Sequence, residues 1–378
     1  MKTLFVSNDP SLFTPSSASR ARMRAYAEAV GGELHVLSAN VTAVEEVDGK
    51  LHLHGVRTMR LARPLTLAKR AHELILAHGI DVVSAQDPFE QGWAAARAIR
   101  GTKAKLHLQV HTDFLSPWFV RTGNMRSPRV PMPVLLNRVR RLLADYTLPK
   151  AAGIRVVSKR VKDSLTKRYG TRIVEPSVIP IAVSTDVPAA VPLPPHNFKF
   201  VFMSIGRLEP EKRIEDLLNA LVRVHLRYPA AGLMIANEGR ERARLEWYVK
   251  KFALEKNVMF IGARSDIRGL LKSAHAFVQS SAYEGYGLAL VEAALAHVPI
   301  ITTDVGIVGE VFKGYTDVLA VPVADPAALA VAMVGMMEDV QARELMVRSA
   351  EGTVHAHLAS YPNQPALVAA DLAKLAAT

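Results

Sequence analysis

"VFMSIGRLEPEKRIEDLLNAL", residues 201–221, opens on an unbroken apolar run, stops at Gly206, crosses a short charged loop and enters a helix. Phe200–Ile205 has no polar face to give to water, so it reads as a strand covered on both sides, as in a parallel sheet between helix layers. The same unit recurs downstream. Gly232–Ala236, Val258–Ile261, Ala276–Gln279, Pro299–Thr302 and Val318–Val321 are continuous apolar or β-branched runs separated mostly by helix-length segments.

Upstream, the alternation has a separate start. Thr3–Ser7, Leu34–Leu37, Val82–Ala85, Leu106–His111, Ile154–Ser158 and Val178–Val183 are strand candidates, and "VEEVDGKLHLHGV" reads as a hairpin turning at Asp48-Gly49. The Pro-rich connector "VPAAVPLPPHNF", 187–198, divides the two series. The expected architecture is α/β, two doubly wound parallel-sheet domains, 1–188 and 189–358. An Ala/Leu-rich helix within 359–378 follows, expected to pack back on the first domain. Ligands in such sheets bind at the C-terminal ends of the strands.

Of 378 residues, 49% are hydrophobic and none is cysteine, which excludes a disulfide framework and thiolate metal sites. No run approaches the roughly 18 apolar residues of a spanning helix. Val318–Met337 is broken by Pro322, Asp325 and Pro326, and the apolar run of "MKTLFVSNDP" is too short for a signal peptide. A cytoplasmic protein, free or peripheral on the inner face of the plasma membrane, is expected. The net charge of +12 is uneven: residues 1–189 hold 28 Lys and Arg against 15 Asp and Glu. Between Arg121 and Arg172 there are 14 basic residues and only two acids, a field that attracts phosphates, anionic headgroups or nucleic acid. A solvated basic face is the plainer alternative.

Three stretches carry chemistry. In the first, Arg207 and Lys212 flank the loop after the strand that ends at Gly206, placed to clamp a diphosphate, Arg as a fork and Lys as a point charge. Taken alone, the two also fit surface pairs with Glu209 and Glu211. The second is "SAYEGYGLALVEAALAHVPII", 281–301, an apolar helix from Leu288 to Val298 that nevertheless contains Glu292 and follows Glu284 and a Gly285-Tyr286-Gly287 turn. A helix starting near Gly287 aims its first amides at an anion. Helical side chains lean toward the N-terminus, so Glu292 reaches back to the same place, where a carboxylate suits a pair of sugar hydroxyls. Alternatively, Glu292 pairs with a neighbouring base. The third stretch, 232–281, supplies a loop at Asn237–Arg240 and "NVMFIGAR", in which Gly262 admits a flat base and Arg264 follows.

In this order the three stretches resemble the nucleotide-binding half of glycosyltransferase family four, which has the two-domain GT-B fold with its Rossmann-like domains facing each other across a cleft. "GRLEPEKR" is similar to the family's Gly-Arg-Leu-x-x-x-Lys-Arg/Gly signature, "NEGRERARLE" to its GxGPxRxxLE segment, and "VMFIG" to its base-binding strand. Glu284 and Glu292 occupy the positions of its Glu-x7-Glu element. The resemblance implies a retaining, metal-independent enzyme without cofactor that moves a sugar from a UDP- or GDP-sugar. Arg207 and Lys212 would lie on the pyrophosphate, Glu284 beside the donor sugar, the amides of Gly287 and Leu288 at the phosphates and Glu292 on the ribose. An epimerase of the same fold and a non-enzymatic anion- or nucleic-acid-binding protein are the alternatives. Nucleic acid is not expected, because the basic run has few aromatics for stacking.

The first half matches less closely. "LHLQVHTDF" places His111 at a strand end, where many members have a histidine near the sugar. Gly153 replaces an acid of the family's Ala-Asp-x-Ile/Val segment, Ile181 and Ala182 replace Asn-Gly, and the loop 7–24 lacks paired glycines but offers Ser16, Ser17, Ser19 and Arg20. "VPMPVLLNRVRRLLADY", 130–146, places Val134, Leu135, Val139, Leu142 and Leu143 on one helix face, with Arg140 opposite and Arg138 and Arg141 at one edge. Such a helix suits an anionic bilayer, or packing on its own sheet. The expected acceptor is a glycan, a lipid or a polyprenyl-diphosphate-linked sugar.

Overall fold

The computed structural model describes residues 1–40, 42–121 and 132–377, with 132–134 by backbone alone. In chain order the first elements are β1 (Thr3–Ser7), α1 (Ala18–Val30), β2 (Leu34–Asn40), β3 (Val44–Asp48), β4 (Leu51–Arg57), α2 (Arg63–His78) and β5 (Val82–Ala85). They are followed by α3 (Glu90–Ala98), β6 (Lys105–Val110), α4 (Pro117–Arg121), α5 (Met132–Thr147), β7 (Gly153–Val156), α6 (Lys159–Tyr169) and β8 (Ser177–Val178). The alternation restarts with β9 (Phe200–Ile205), α7 (Ile214–Arg227), β10 (Ala231–Ala236), α8 (Arg242–Lys251), β11 (Val258–Gly262), α9 (Ile267–Leu271) and β12 (Ala276–Gln279). It ends with α10 (Leu288–Leu295), β13 (Ile300–Thr303), β14 (Leu319–Val321), α11 (Pro326–Glu338), α12 (Val340–Ala359) and α13 (Gln364–Ala376).

The chain forms two compact units: Met1–Leu115 with Leu135–Ala182 and Tyr361–Thr378, and Ser116–Val134 with Val183–Ser360. The first holds the sheet β3-β4-β2-β1-β5-β6-β7-β8, parallel except for the antiparallel β3–β4 hairpin. The second holds the sheet β11-β10-β9-β12-β13-β14, parallel throughout. Its strands are fully buried where the sequence is continuously apolar: Val201, Phe202 and Met203 in β9 are all at 0% exposure. Leu217, Leu221 and Val224 of α7 cover one face of this sheet, and truncating any one to Ala would cost about 2–5 kcal/mol.

Two elements differ from expectation. The run Val178–Val183 is a strand only at Ser177–Val178. Pro180 has no N–H for a ladder, and the carbonyls of Ile179 and Pro180 instead accept from the buried Arg155 guanidinium at 3.0 and 2.8 Å. The helix expected from Leu288 to Val298 ends at Leu295, because His297 turns left-handed at φ 58° just before Pro299.

Candidate active site

In the second unit, β9 lies between β10 and β12, so the order of connection reverses beside it. Such a switch point opens a crevice at the C-terminal strand ends. A cavity of about 330 Å³ lies there, lined by Gly206 and Arg207 after β9, Lys212, Asn237 after β10, and Glu284, Gly287, Leu288 and Glu292 around the start of α10. Arg264, Ile267 and Gln279 complete much of the remaining wall.

Lys212 and Glu284 hold each other across the cavity, Nζ to Oε1 at 2.5 Å, with less than a fifth of either side chain exposed. Ser281 Oγ donates to the same carboxylate oxygen at 2.7 Å. The backbone under Lys212 is fixed by Ser280, whose hydroxyl donates to the Lys212 carbonyl at 2.8 Å. Arg207 is different. It is 71% exposed and only 3.6 Å from Glu211, so its guanidinium is at hand for an anion.

The turn before α10 is built for close approach. Gly287 caps the helix at φ 96° and contributes no side chain to its first turn, which contains no acid. The first amides therefore keep their positive field for an incoming anion. Gly306 supports this turn from below at φ 61°. A Cβ there would sit 2.3 Å from the Tyr286 carbonyl oxygen and 3.1 Å from Glu284 Cβ, so only glycine fits.

Glu292 is largely buried, and burial pushes its carboxyl above the ordinary range, while Arg268 opposes that shift. Arg268 Nε lies 3.3 Å from Glu292 Oε1, and its Nη1 donates to the carbonyls of Ser184 and Asp186 at 3.0 and 3.2 Å. Glu292 thus both lines the cavity and pairs with a base of its own unit. Arg268 and Ser281 were not singled out from sequence. Arg268 lies on the five-residue α9, too short to show a periodic face.

Other expected donor residues are placed less directly. Asn237 adopts φ 97° and donates its amide to the Gly262 carbonyl at 2.6 Å, which joins the two strand ends. Arg264 lines the cavity but is held by Asp266 at 2.8 and 2.6 Å. Gly285 and Tyr286 are buried beneath the turn, and the Tyr286 hydroxyl meets His357 Nε2 of α12 at 2.9 Å. The Tyr286 side chain is therefore a strut and not a donor contact.

In the first unit, Arg20 is a correction. It is 6% exposed and bound to Glu46 at 2.7 Å and Asp48 at 3.2 Å, so it braces α1 against the β3–β4 hairpin and offers no acceptor contact. Arg140 pairs with Glu90 at 3.0 Å, and Arg141 Nε donates to the Phe114 carbonyl at 3.0 Å, so both are engaged within the unit. Arg138 is exposed. On the same helix Leu135, Val139 and Leu142 are 61%, 41% and 67% exposed. Part of the expected apolar face of α5 thus meets solvent, while Val134 and the residues at 130–131 lie outside the described side chains. His111 follows β6 and faces Gln109 Oε1 at 3.2 Å. Burial, with Arg155, Arg22 and His107 nearby, lowers its pKa to about 3. No described helix is long and apolar enough to cross a membrane.

Two family models match: glycosyl transferases group 1 over residues 192–353 and glycosyltransferase family 4 over 19–187. The chain is 29% identical over 218 residues to glycogen synthase of Mycobacterium tuberculosis, which is 57% of this chain and 52% of that protein. It thus spans about half the length of the curated relatives it matches. Among solved structures, sucrose-phosphate synthase from Thermosynechococcus elongatus superposes at a TM-score of 0.80 with 18% identity, covering 99% of this chain and 98% of that one. HepE from Anabaena, solved with UDP-glucose, gives 0.73 at 18% identity, covering 98% and 100%. These neighbours have the GT-B fold. Together the two models match most of the chain, which belongs to glycosyltransferase family four.

Proposed function

We propose that the enzyme takes a nucleoside-diphosphate sugar into the second-unit cavity and transfers the sugar with retention of configuration. The observation that carries this reading is the joint lining of one cavity by Arg207, Lys212, the start of α10 and Glu292. Glu292 accepts hydrogen bonds from the two ribose hydroxyls. The amides at Gly287 and Leu288, with Arg207 and Lys212, receive the diphosphate. As the anomeric C–O bond breaks, negative charge grows on the leaving β-phosphate, where the two cations lower the barrier without a metal being required. The acceptor hydroxyl attacks from the face the diphosphate leaves, and its proton passes to a phosphate oxygen. Glu284, already fixed by Lys212 and Ser281, orients the sugar.

UDP is the first nucleotide to examine, since a structural neighbour was solved with UDP-glucose. We further propose a lipid or polyprenyl-diphosphate-linked acceptor at an anionic membrane. The exposed Leu135, Val139 and Leu142 on α5, beside Arg138, support it. Calorimetry with UDP and GDP, without added metal, tests the donor site. Wild-type protein is expected to bind one of them, and Glu292→Ala to bind it at least about tenfold more weakly. Equal affinity in both proteins would remove Glu292 from the ribose.

A further inference from the structure

Four histidines from three elements meet in the first unit, at the N-terminal ends of β2 and β4. His35 is the second residue of β2, His52 and His54 lie on β4, and His78 is the last residue of α2. The rings of His52, His54 and His78 lie 4.6, 5.2 and 4.4 Å from that of His35, centroid to centroid. His35 is wholly buried and His54 nearly so.

The hydrogen bonds fix the tautomers. Glu45 accepts from Nδ1 of His54. In a neutral imidazole a proton on Nδ1 leaves the lone pair on Nε2. His35 Nδ1, 2.9 Å away, must donate to it. That leaves His35 Nε2 bare, and it faces Glu33 Oε2 at 3.4 Å, acceptor against acceptor.

We propose that Glu33, His35 and His78 bind a divalent transition-metal ion of the zinc class, whose ligand atoms already converge within 4.8 Å of one another. Two imidazoles and a carboxylate suit such an ion, and water can take the remaining position. Ligand atoms about 3.3 Å apart follow from bonds of 2.0–2.1 Å in a tetrahedral site, so the His35–Glu33 spacing of 3.4 Å fits, and the His78 ligand atom lies within 4.8 Å of both. The His54–Glu45 pair is the outer support that fixes the tautomer of a metal-binding imidazole. The ion ties the end of α2 to β2, at the opposite end of this sheet from its C-terminal strand ends, so its role is structural. Lys2 competes, with Nζ 2.9 Å from Glu33 Oε2, but its side chain is 42% exposed and can swing into water.

The test uses the full chain without a histidine tag, stripped by a chelator and titrated with Co²⁺ by visible absorption, then with Zn²⁺ in competition. One equivalent of cobalt with tetrahedral bands, displaced by zinc, is expected, together with a thermal midpoint raised by zinc. His78→Ala should weaken binding about tenfold or more and abolish the zinc-dependent shift. Its metal-free midpoint, compared with wild type, shows whether the variant is folded. Lys2→Ala should tighten binding. No saturable binding by the wild type, or unchanged binding by folded His78→Ala, overturns the site. Should His78→Ala fail to fold, Lys2→Ala decides: tighter binding supports the site and unchanged binding overturns it.

Discussion

Glu284 and Lys212 neutralise each other at 2.5 Å in the free protein, so a diphosphate must share or replace the carboxylate as partner of the ammonium. Lys212→Ala removes a cation from the place where leaving-group charge grows. Turnover is expected to fall about 10²-fold or more, read as nucleotide release at saturating donor. Near-wild-type turnover would mean that Arg207 and the α10 amides suffice. Gly306 tests the same turn from below. Gly306→Ala forces a Cβ against the Tyr286 carbonyl in a left-handed conformation, at a cost of about 1–3 kcal/mol. Both a lower thermal midpoint and weaker nucleotide binding are expected, because the displaced turn carries Glu284. A variant that loses stability but keeps full affinity would show that the turn relaxes away from the ligand.

Elements were legible where one physical cause dominated. The buried parallel strands announced themselves by continuous apolar runs, and the buried carboxylate on apolar α10 stood out because nothing in packing explains it. Arg268, the partner that holds Glu292, did not stand out, since α9 is only a single short turn. Periodicity placed the apolar stripe of α5 but not its direction. The structure turns Arg140 toward Glu90 and leaves Leu135 and Leu142 in solvent. Replacing both leucines by Ser should leave thermal stability nearly unchanged, because neither is buried. Binding to vesicles containing anionic lipid should fall by about 10²-fold, since each leucine buried in a bilayer is worth about 1.5–3 kcal/mol. Sedimentation with vesicles measures it, and retained binding would transfer the membrane role to the basic side chains alone.

At the scale of the whole chain, the last helix is grouped with the first unit. Asp371 of α13 accepts from Ser177 Oγ at 2.7 Å and lies 3.3 Å from His107 Nε2 on β6. This end of the chain thus closes a buried polar layer that also contains Arg155 and, near it, His111. Local pattern could not reveal that layer, because its members are far apart in sequence. It has a consequence for pH. Burial lowers the His111 pKa from an ordinary 6.5 to about 3, with the charges of Arg155 and Arg22 acting in the same direction. In that window the unfolded chain binds the proton and the folded chain does not. The contribution is complete above pH 6.5 and is lost as pH falls toward 3, at up to about 1.4 kcal/mol per pH unit. His107, lowered by burial against the pull of Asp371, acts with the same sign. Denaturant unfolding at pH 8, 6.5 and 5, followed by probes in the first unit, should show stability flat between the first two values and falling at the third. His111→Gln should reduce that fall by close to one proton's worth of slope. An identical fall in wild type and variant would place the acid sensitivity elsewhere in the unit and leave His111 exposed enough to ionise within the fold.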